Sequence, residues 1–188
     1  MSEAAPDASL VVNALTNQTT EENVKSSDFL LMKATVDPEQ DLTADGKLKI
    51  SLSHAMSKLL IKITVNGTTD AAMNKLGDMS INGAVVNGIC DLSATVPIVV
   101  PAPDAVVATV APYKGTESCE CILPPQKIVE GFSVNFSYDG KLYIWTAKEA
   151  IELEKGVEHT LTLNVNTTVR LAAKMARNWA TGQLIDRN

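Results

Sequence analysis

The most regular alternation of apolar and polar residues lies in residues 132–147, FSVNFSYDGKLYIWTA. Asp139-Gly140 separates two alternating runs, and such a pair predicts a two-residue hairpin turn because both residues tolerate positive φ. The register that follows pairs Tyr138 with Lys141, Phe136 with Tyr143, and Val134 with Trp145. One side of the hairpin is then apolar and aromatic, which is typical of an antiparallel sheet that covers a core with one face.

The segment Lys47–Leu52 (KLKISL) alternates polar with apolar residues, and its apolar positions are even-numbered. This phase continues through His54 and Met56, whereas in residues 59–65 the apolar positions are odd-numbered. Because side chains alternate with a period of two, one uninterrupted strand cannot change its phase. We therefore predict two strand segments, separated at Ser57–Lys58 by a bulge or by a change of partner sheet.

Shorter apolar or alternating runs predict further strands, separated by turn signals. These strands are Phe29–Val36, Met79–Ile81, Ala84–Val86, Ala105–Ala111, Glu120–Leu123 and Thr160–Val165. The predicted turns are Asn66-Gly67, Asn82-Gly83 and Asn87-Gly88, where positive φ is easily reached. A short helix is predicted for Asp70–Leu76, which begins with an Asp cap and is followed by Gly77.

Two segments are compatible with both helix and strand. Thr146–Lys155 begins with a capping-box pattern, but Ile151 and Leu153 alternate with glutamates as in a strand, and the extended interpretation is favoured. Val169–Arg177 has a helix-forming composition, but its apolar residues continue the odd phase of the preceding strand. Strand is favoured there as well.

Three prolines lie close together in Val96–Asp104 (VPIVVPAPD). Proline removes a ladder donor and fixes φ, so this run is typical of a sheet edge or an extended linker. We predict an N-terminal β-domain, expected to be incomplete, in residues 1–96, a Pro-rich linker in residues 97–104, and a C-terminal β-sandwich domain in residues 105–188. Many short strands with very little helix indicate an all-β fold, an antiparallel β-sandwich.

Composition argues against several classes of function. The chain has 188 residues, and its 16 Lys and Arg against 22 Asp and Glu give a formal net charge of −6. A nucleic-acid groove or an anionic membrane surface would favour clustered Lys and Arg. No apolar run approaches the ~18 residues of a transmembrane helix. The N-terminal residues lack the pattern of a secretory signal, so we expect either a cytosolic protein or a mature or truncated form without its export segment.

Three cysteines are candidates for a bridge or a metal site. Cys119 and Cys121 would lie on one face of a strand, with α-carbons about 6.5–7 Å apart, at or beyond the limit for a disulfide. Cys90 is a possible partner for either, and a structural zinc would need four ligands in paired spacings. Ordinary buried thiols are the favoured interpretation.

The two histidines are the other candidates for chemistry. His54 lies on the apolar phase of its run, which favours a core or hydrogen-bonded residue over a catalytic base, and His159 is expected to be an exposed turn residue. The sequence contains no P-loop, G-x-S-x-G or H-E-x-x-H pattern. We therefore predict no enzyme activity and assign no catalytic, cofactor-binding or metal-binding residue and no cofactor.

Four segments carry a family resemblance in chain order: Ser27–Ala34 (SDFLLMKA), Leu48–Val65, Cys121–Ile128 (CILPPQKI) and Ile151–Asn166. The most specific is the His-Ala-x-x-Lys strand at His54, Ala55 and Lys58. These segments resemble the fimbrillin-like family, the subunits of type V pili in Bacteroidales. Two departures stand out, since Leu52 replaces a frequent aromatic and His159 replaces the usual Tyr.

The resemblance implies a transthyretin-like β-sandwich that is exported as a lipoprotein to the outer membrane and joins other pilus subunits in a fimbrium by donor-strand exchange. The chain would be a truncated member of the family. In such an exchange an extended segment pairs with an open sheet edge beside an apolar groove. The candidate donor segments are Leu10–Leu15 and Val169–Met175, although each is equally well explained as an ordinary edge strand.

The leading hypothesis is therefore a non-catalytic fimbrial subunit or cell-surface adhesion protein. The alternative is a surface module that binds a glycan or a host protein and does not polymerise. Exposure of Tyr143, Trp145 and Trp179 would favour the alternative, whereas burial in the core would remove its motivation.

Overall fold

The structure is a computed structural model that describes residues 8–33, 35, 37, 39–42, 45–48, 50–67, 69–166, 171–175 and 183–186. At residues 69, 171–175 and 183–186 the description is confined to the backbone. All statements below refer to these residues.

The described part of the chain consists mainly of short strands. In chain order the elements are β1 (Ser9–Asn13), α1 (Glu21–Ser27), β2 (Leu30–Leu31), β3 (Ser53–His54), β4 (Ser57–Val65), β5 (Thr69–Asp70), a 3₁₀ turn (Met73–Lys75), β6 (Leu76–Val85), β7 (Asn87–Asp91), β8 (Val99–Pro101), β9 (Val107–Val110), β10 (Tyr113–Lys114), β11 (Cys119–Leu123), β12 (Gln126–Ile128), β13 (Ser133–Tyr138), β14 (Lys141–Thr146), β15 (Ile151–Leu153), β16 (Glu158–Val165), β17 (Leu171–Met175) and β18 (Gln183–Asp186).

Two larger sheets form the body of the fold. One has five strands in the order β18-β14-β13-β6-β9, and the other has the order β10-β11-β4-β16-β17, with β5 also paired to β4. Smaller sheets are β1-β7-β8, β12-β15 and β2-β3. Side chains from both larger sheets enter a single hydrophobic core, so the prediction of an all-β sandwich is confirmed.

The centre of the six-stranded sheet departs from the predicted antiparallel pattern. β4 and β16 pair in parallel over eight register positions, from Lys58 with Glu158 to Val65 with Val165. Parallel neighbours require a crossover connection, and here the long intervening chain supplies it. The predicted antiparallel sandwich therefore contains one parallel pair, at the centre of this sheet.

The hairpin prediction is confirmed in every register pair. Tyr138 lies opposite Lys141, and Asp139 and Gly140 have φ of 52° and 78°. The rings of Phe136 and Tyr143 stack with centroids 5.4 Å apart. The alternation of burial along β13 follows the sequence pattern, so its apolar face lies on the core.

The phase change in residues 47–65 corresponds to a change of partner sheet. β3 pairs with β2, and β4 pairs with β11 and β16, so the change lies at residues 55–56, just before the predicted Ser57–Lys58. β4 buries the predicted residues Leu59, Ile61 and Ile63, leaves Val65 half-buried, and ends before Asn66-Gly67, as predicted. The predicted strand at Lys47–Leu52 is wrong, because its described residues form only an isolated bridge between Leu48 and Leu42.

Two of the predicted Asn-Gly turns belong to strands instead. β6 runs without interruption through Asn82-Gly83, where a register shift marks a bulge, and Asn87-Gly88 begins β7. Gly83 has a φ of +87°, and a Cβ placed there would overlap the carbonyl of Gly131. The glycine therefore serves a bulge with a close backbone approach rather than a turn.

The helix predicted for Asp70–Leu76 is wrong, because that segment contains the end of β5, a 3₁₀ turn and the first residue of β6. The extended interpretation of Thr146–Lys155 is confirmed by β15, and that of Val169–Arg177 by β17 within its described residues. Phe29–Val36 contributes a two-residue strand, β2. The predicted strands Met79–Ile81 and Ala84–Val86 are merged in β6, except for Val86. Three others, Ala105–Ala111, Glu120–Leu123 and Thr160–Val165, correspond to β9, β11 and β16 with shifted ends.

The division at residues 97–104 stays a prediction. Within it, Val99–Pro101 pairs with β7 as the edge strand of a small sheet, which is one of the two roles that its prolines indicated. Both larger sheets contain strands from either side of this segment.

The close approach at Gly83 gives a direct test of the fold. Gly83→Ala should lower the free energy of unfolding by at least about 3 kcal/mol, because a methyl group adds a clash with backbone to the strain of positive φ. Gly140→Ala is the matched control, since Gly140 has φ +78° but open space around it, and should cost only about 1 kcal/mol. Chemical denaturation of both variants measures the difference, and equal losses would contradict the bulge geometry.

Candidate functional site

Two of the motif segments meet at a close contact between a carboxylate and an imidazole. Asp28 caps the C-terminal end of α1, and one of its carboxylate oxygens lies 2.6 Å from Nδ1 of His54 at the end of β3. The N–H of Ala55 donates to the carbonyl of Phe29 at 2.8 Å beside this pair. His54 is therefore hydrogen-bonded, as one interpretation predicted, but its side chain is 67% exposed and does not belong to the core.

A cleft of about 430 Å³ opens beside this pair, between α1, the start of β4 and the turn before β16. Its floor is formed by the buried side chains of Val24, Met56 and Ile122. Its walls carry the ammonium groups of Lys25 and Lys58, the carboxylates of Asp28, Glu120 and Glu158, and the imidazole of His54. The volume lies within the ~300–1,000 Å³ of ligand-binding clefts, and the combination of apolar floor and charged walls suits an amphipathic ligand.

Lys58 is the central charge of the cleft. Its ammonium lies 2.8 Å from Glu120 on β11 and 3.6 Å from Glu158 on β16. Burial alone would lower the pKa of Lys58, but the hydrogen bonds and the attraction of the two carboxylates outweigh burial and raise it. Lys58 thus remains charged at neutral pH, and the cleft has one more carboxylate than ammonium group on its walls.

This arrangement is suited to binding. Lys58 pairs with Glu120 and Glu158 on the two neighbouring strands, and His54 contacts Asp28 at the end of α1. Within the described ranges, no group of three or more His, Cys, Asp or Glu residues is placed to hold a metal ion. The search for a long apolar helix, over the same residues, finds none that could cross a membrane.

Two buried glutamines occupy backbone positions at strand edges. Gln126, from the Pro-Pro-Gln motif segment, accepts from the N–H of Val85 at 2.9 Å and donates to its carbonyl at 3.0 Å. Gln18 accepts from the N–H of Ile122 in β11 and donates to its carbonyl, both at 2.8 Å. A side-chain amide has the donor and acceptor of a peptide group, so each glutamine takes the place of one residue of a neighbouring strand.

The three cysteines are free and buried, which agrees with the favoured interpretation. Burial raises the pKa of Cys119 to about 11, and it raises the pKa of Cys121 further. Burial also raises the pKa of Cys90, and nearby Lys155 only partly offsets that effect. None of these thiols has the lowered pKa that marks a reactive cysteine.

The aromatic residues of the alternative hypothesis lie inside the protein where they are described. Trp145 is fully buried and packs edge-on against Phe132 with centroids 6.1 Å apart, and Tyr143 is buried as well. Trp179 lies outside the described residues. His159, expected in an exposed turn, is in fact buried in β16, where Nε2 accepts from the N–H of Glu154 at 2.9 Å.

The two candidate donor segments occupy sheet edges. Leu10–Leu15 overlaps β1, which pairs with β7, and Val169–Met175 overlaps β17, which pairs with β16.

The cleft was not predictable from the sequence, because Glu120 and Glu158 reach Lys58 only through strand register. The nearest signal was the resemblance itself, which contained Asp28, His54 and Lys58 in two separate motifs.

The sequence profile of the Fimbrillin-like family matches residues 2–178. The chain belongs to the fimbrillin-like family. Among curated proteins no sequence matches it.

Solved structures resemble this fimbrillin-like chain in fold. A candidate cell adhesion protein from Bacteroides uniformis superposes with a TM-score of 0.64 at 15% identity, covering 99% of this chain and 68% of its own. A second one, from Bacteroides ovatus, gives a TM-score of 0.62 at 15% identity and covers 97% and 63%. The chain therefore spans about two thirds of the length of these structures.

The contacts of Gln126 predict a measurable loss of stability. Gln126→Leu should lower the free energy of unfolding by about 2–3 kcal/mol, because the N–H and carbonyl of Val85 lose their partners in a largely buried site. Gln40→Leu, at an exposed position, is the control and should stay within about 0.5 kcal/mol of the wild type. Urea denaturation compares the three proteins, and an unchanged midpoint for Gln126→Leu would show that the edge contact is dispensable.

The raised pKa values predict that the thiols are inert in the folded protein. At pH 8 a chromogenic thiol reagent should not label the native fimbrillin-like chain, since little thiolate is present and the sulfurs are buried. After unfolding in denaturant, all three cysteines should react. Rapid labelling of even one thiol in the native state would be inconsistent with this core.

Proposed function

We propose that this chain is a non-catalytic fimbrial or cell-surface adhesion subunit, and that it joins other subunits by donor-strand exchange. The observation that carries the proposal is the family match, which extends over residues 2–178. The proposal includes a transthyretin-like subunit and export as a lipoprotein to the outer membrane, both of which come from the family resemblance.

The C-terminal strands are the better donor candidate. β17 adds a strand to the six-stranded sheet and β18 adds one to the five-stranded sheet, so this part of the chain completes one edge of each layer. β16, the neighbour of β17, sends the fully buried Leu161, Leu163 and Val165 into the core. An edge strand is bound largely through backbone hydrogen bonds, and the same strand of a second subunit can supply them.

The N-terminal candidate has weaker support. Of the five residues of β1, Val12 alone is buried, and Val11 is 67% exposed. A donor strand gains affinity from backbone pairing and specificity from side chains that enter pockets. With so little of its surface buried, β1 provides few side chains that could give such specificity.

Disulfide trapping between subunits tests the exchange. Thr162 and Lys174 are register partners in β16 and β17. When differently tagged Thr162→Cys and Lys174→Cys chains are mixed under assembly conditions and oxidised, we expect a covalent dimer that carries both tags, because the strand of one chain then lies beside the sheet of the other. The native thiols do not interfere because they are buried.

Two controls define the result. Thr160→Cys mixed with Lys174→Cys is out of register and should give little product. The double variant Thr162→Cys/Lys174→Cys should form the bridge within one chain and thereby block assembly. If assembled material yields no mixed-tag product in register, donor-strand exchange through β17 is wrong.

A further inference from the structure

A second groove, of about 290 Å³, lies between the β2–β3 ladder and residues 95–97. Leu31 lies opposite Ser53 in this ladder, and the same antiparallel register places Lys33 opposite Ser51. All four residues line the groove. Its volume is close to the lower end of the ~300–1,000 Å³ of ligand-binding clefts, so the groove suits a small ligand.

The charged side chains that line the groove are both lysines. Lys33 donates to the carbonyls of residues 92–94 at 2.5–3.2 Å, and Lys155 donates to the carbonyl of Pro97 at 3.1 Å. Within the described residues neither ammonium forms an ion pair, and no carboxylate lines the groove. The groove therefore presents two positive charges in a chain whose formal net charge is −6.

The carbonyl partners hold the two ammonium groups in place without neutralising them. A carbonyl satisfies an N–H donor but has no net charge, so each lysine keeps its positive charge. Hydrogen bonds from Ser93 and, to a smaller extent, the attraction of Lys33 lower the pKa of Asp91, but that carboxylate is bound by Ser93 and does not line the groove. A groove that carries charges of one sign concentrates the opposite charge, so an anionic ligand is favoured here.

Unused hydrogen-bond donors accompany these charges. An ammonium has three N–H donors, and Lys155 uses one of them on Pro97, so two remain. The hydroxyls of Ser51, Ser53 and Thr95 also line the groove, and they make no hydrogen bond to another described residue. Ammonium and hydroxyl groups together can bind a carboxylate and the hydroxyls of a ligand.

The remaining lining of the groove is apolar and comes from Leu31, Met32, Val96 and Pro97. Apolar side chains can cover the C–H face of a sugar ring, whereas a bare inorganic anion would leave them in contact with water. A neutral sugar would cover them but would leave both lysines without a counter-charge. The lining therefore matches a ring that carries both hydroxyls and a carboxylate.

We propose that this groove binds an acidic sugar, which is a monosaccharide unit that carries a carboxylate. The carboxylate accepts from the free N–H groups of Lys155, and Lys33 adds its attraction. The hydroxyls of the ring bond to those of Ser51, Ser53 and Thr95. This ligand site goes beyond the assembly of subunits, and it does not depend on strand exchange.

NMR titration of the ¹⁵N-labelled full chain with glucuronate tests the proposal. The amide signals of Ser51, Ser53, Thr95 and Lys155 should shift, with a dissociation constant of about 1 mM or lower. Glucose, which lacks the carboxylate, and acetate, which lacks the ring, should each bind at least about tenfold more weakly. Added salt should weaken the binding of glucuronate, because it screens the charges of an open groove.

Variants of Lys155 separate the role of its charge from a loss of structure. Lys155→Gln removes the charge but keeps a donor for the carbonyl of Pro97, and it should weaken the binding of glucuronate at least about fivefold. Lys155→Arg keeps the charge and should bind within about threefold of the wild type. Lys127→Gln is the matched control, because it removes the same charge from an exposed position of β12 outside the groove and should leave the affinity unchanged. Lys155→Gln should also leave the Thr162–Lys174 disulfide trap unaffected, so a failure of sugar binding and a failure of strand exchange are told apart.

The proposal is overturned when glucuronate at about 10 mM, well above the expected dissociation constant, shifts none of these signals. Glucose or acetate that binds as tightly as glucuronate overturns it as well. So does a loss of affinity in Lys127→Gln that equals the loss in Lys155→Gln.

Discussion

The pairing of β4 with β16 is the contact on which the rest of the fold depends. It joins residues 58–65 to residues 158–165, and every inward side chain of the pair from Leu59 to Ile63 and from Leu161 to Val165 is buried. β11 is held on one side of this pair and β17 on the other. The cleft depends on it too, because Lys58 reaches Glu158 only when this register is formed. Such a long-range pairing is entropically costly to form, because the two strands lie about 100 residues apart in the chain.

Elements with local signals were predictable from the sequence, and elements defined by distant partners were not. The Asp139-Gly140 hairpin was predicted to the residue, because turn geometry fixes its register. Gly83 was misread, since a positive φ serves a bulge as well as a turn, and the approach of Gly131 that decides between them is 48 residues away (131 − 83 = 48). The strand predicted at Lys47–Leu52 has the right alternation but finds no sheet in the described structure. Of the site, Asp28, His54 and Lys58 lie in segments that carry the resemblance, whereas the pairing of Lys58 with Glu120 and Glu158 required the fold.

The fold closes some of its sheet edges with side chains. Gln18 and Gln126 occupy peptide positions next to β11 and β6, and prolines lie in and around the edge strand β8. The glutamine amides occupy backbone hydrogen-bonding groups that an incoming strand would need, and the prolines lack the N–H that it would pair with. The outer edges of β16 and β14 are instead covered by whole strands, β17 and β18, from the C-terminal part of the chain. A cover made of backbone can be replaced by an equivalent strand, whereas a glutamine amide held by two hydrogen bonds cannot be replaced without breaking the local packing.

Strand pairing and side-chain docking contribute different properties to an assembly. Backbone hydrogen bonds give affinity with little regard to sequence, so a subunit that relied on them alone would accept many extended segments. Discrimination between partners requires side-chain surfaces whose mismatch has a cost, such as an unpaired charge or an exposed apolar group. The cleft around Lys58 combines an apolar floor with paired charged groups, so a ligand of mismatched polarity would incur such a cost there. Under the proposed strand exchange, selectivity among partners therefore has to come from side-chain surfaces, because backbone pairing discriminates weakly among extended segments.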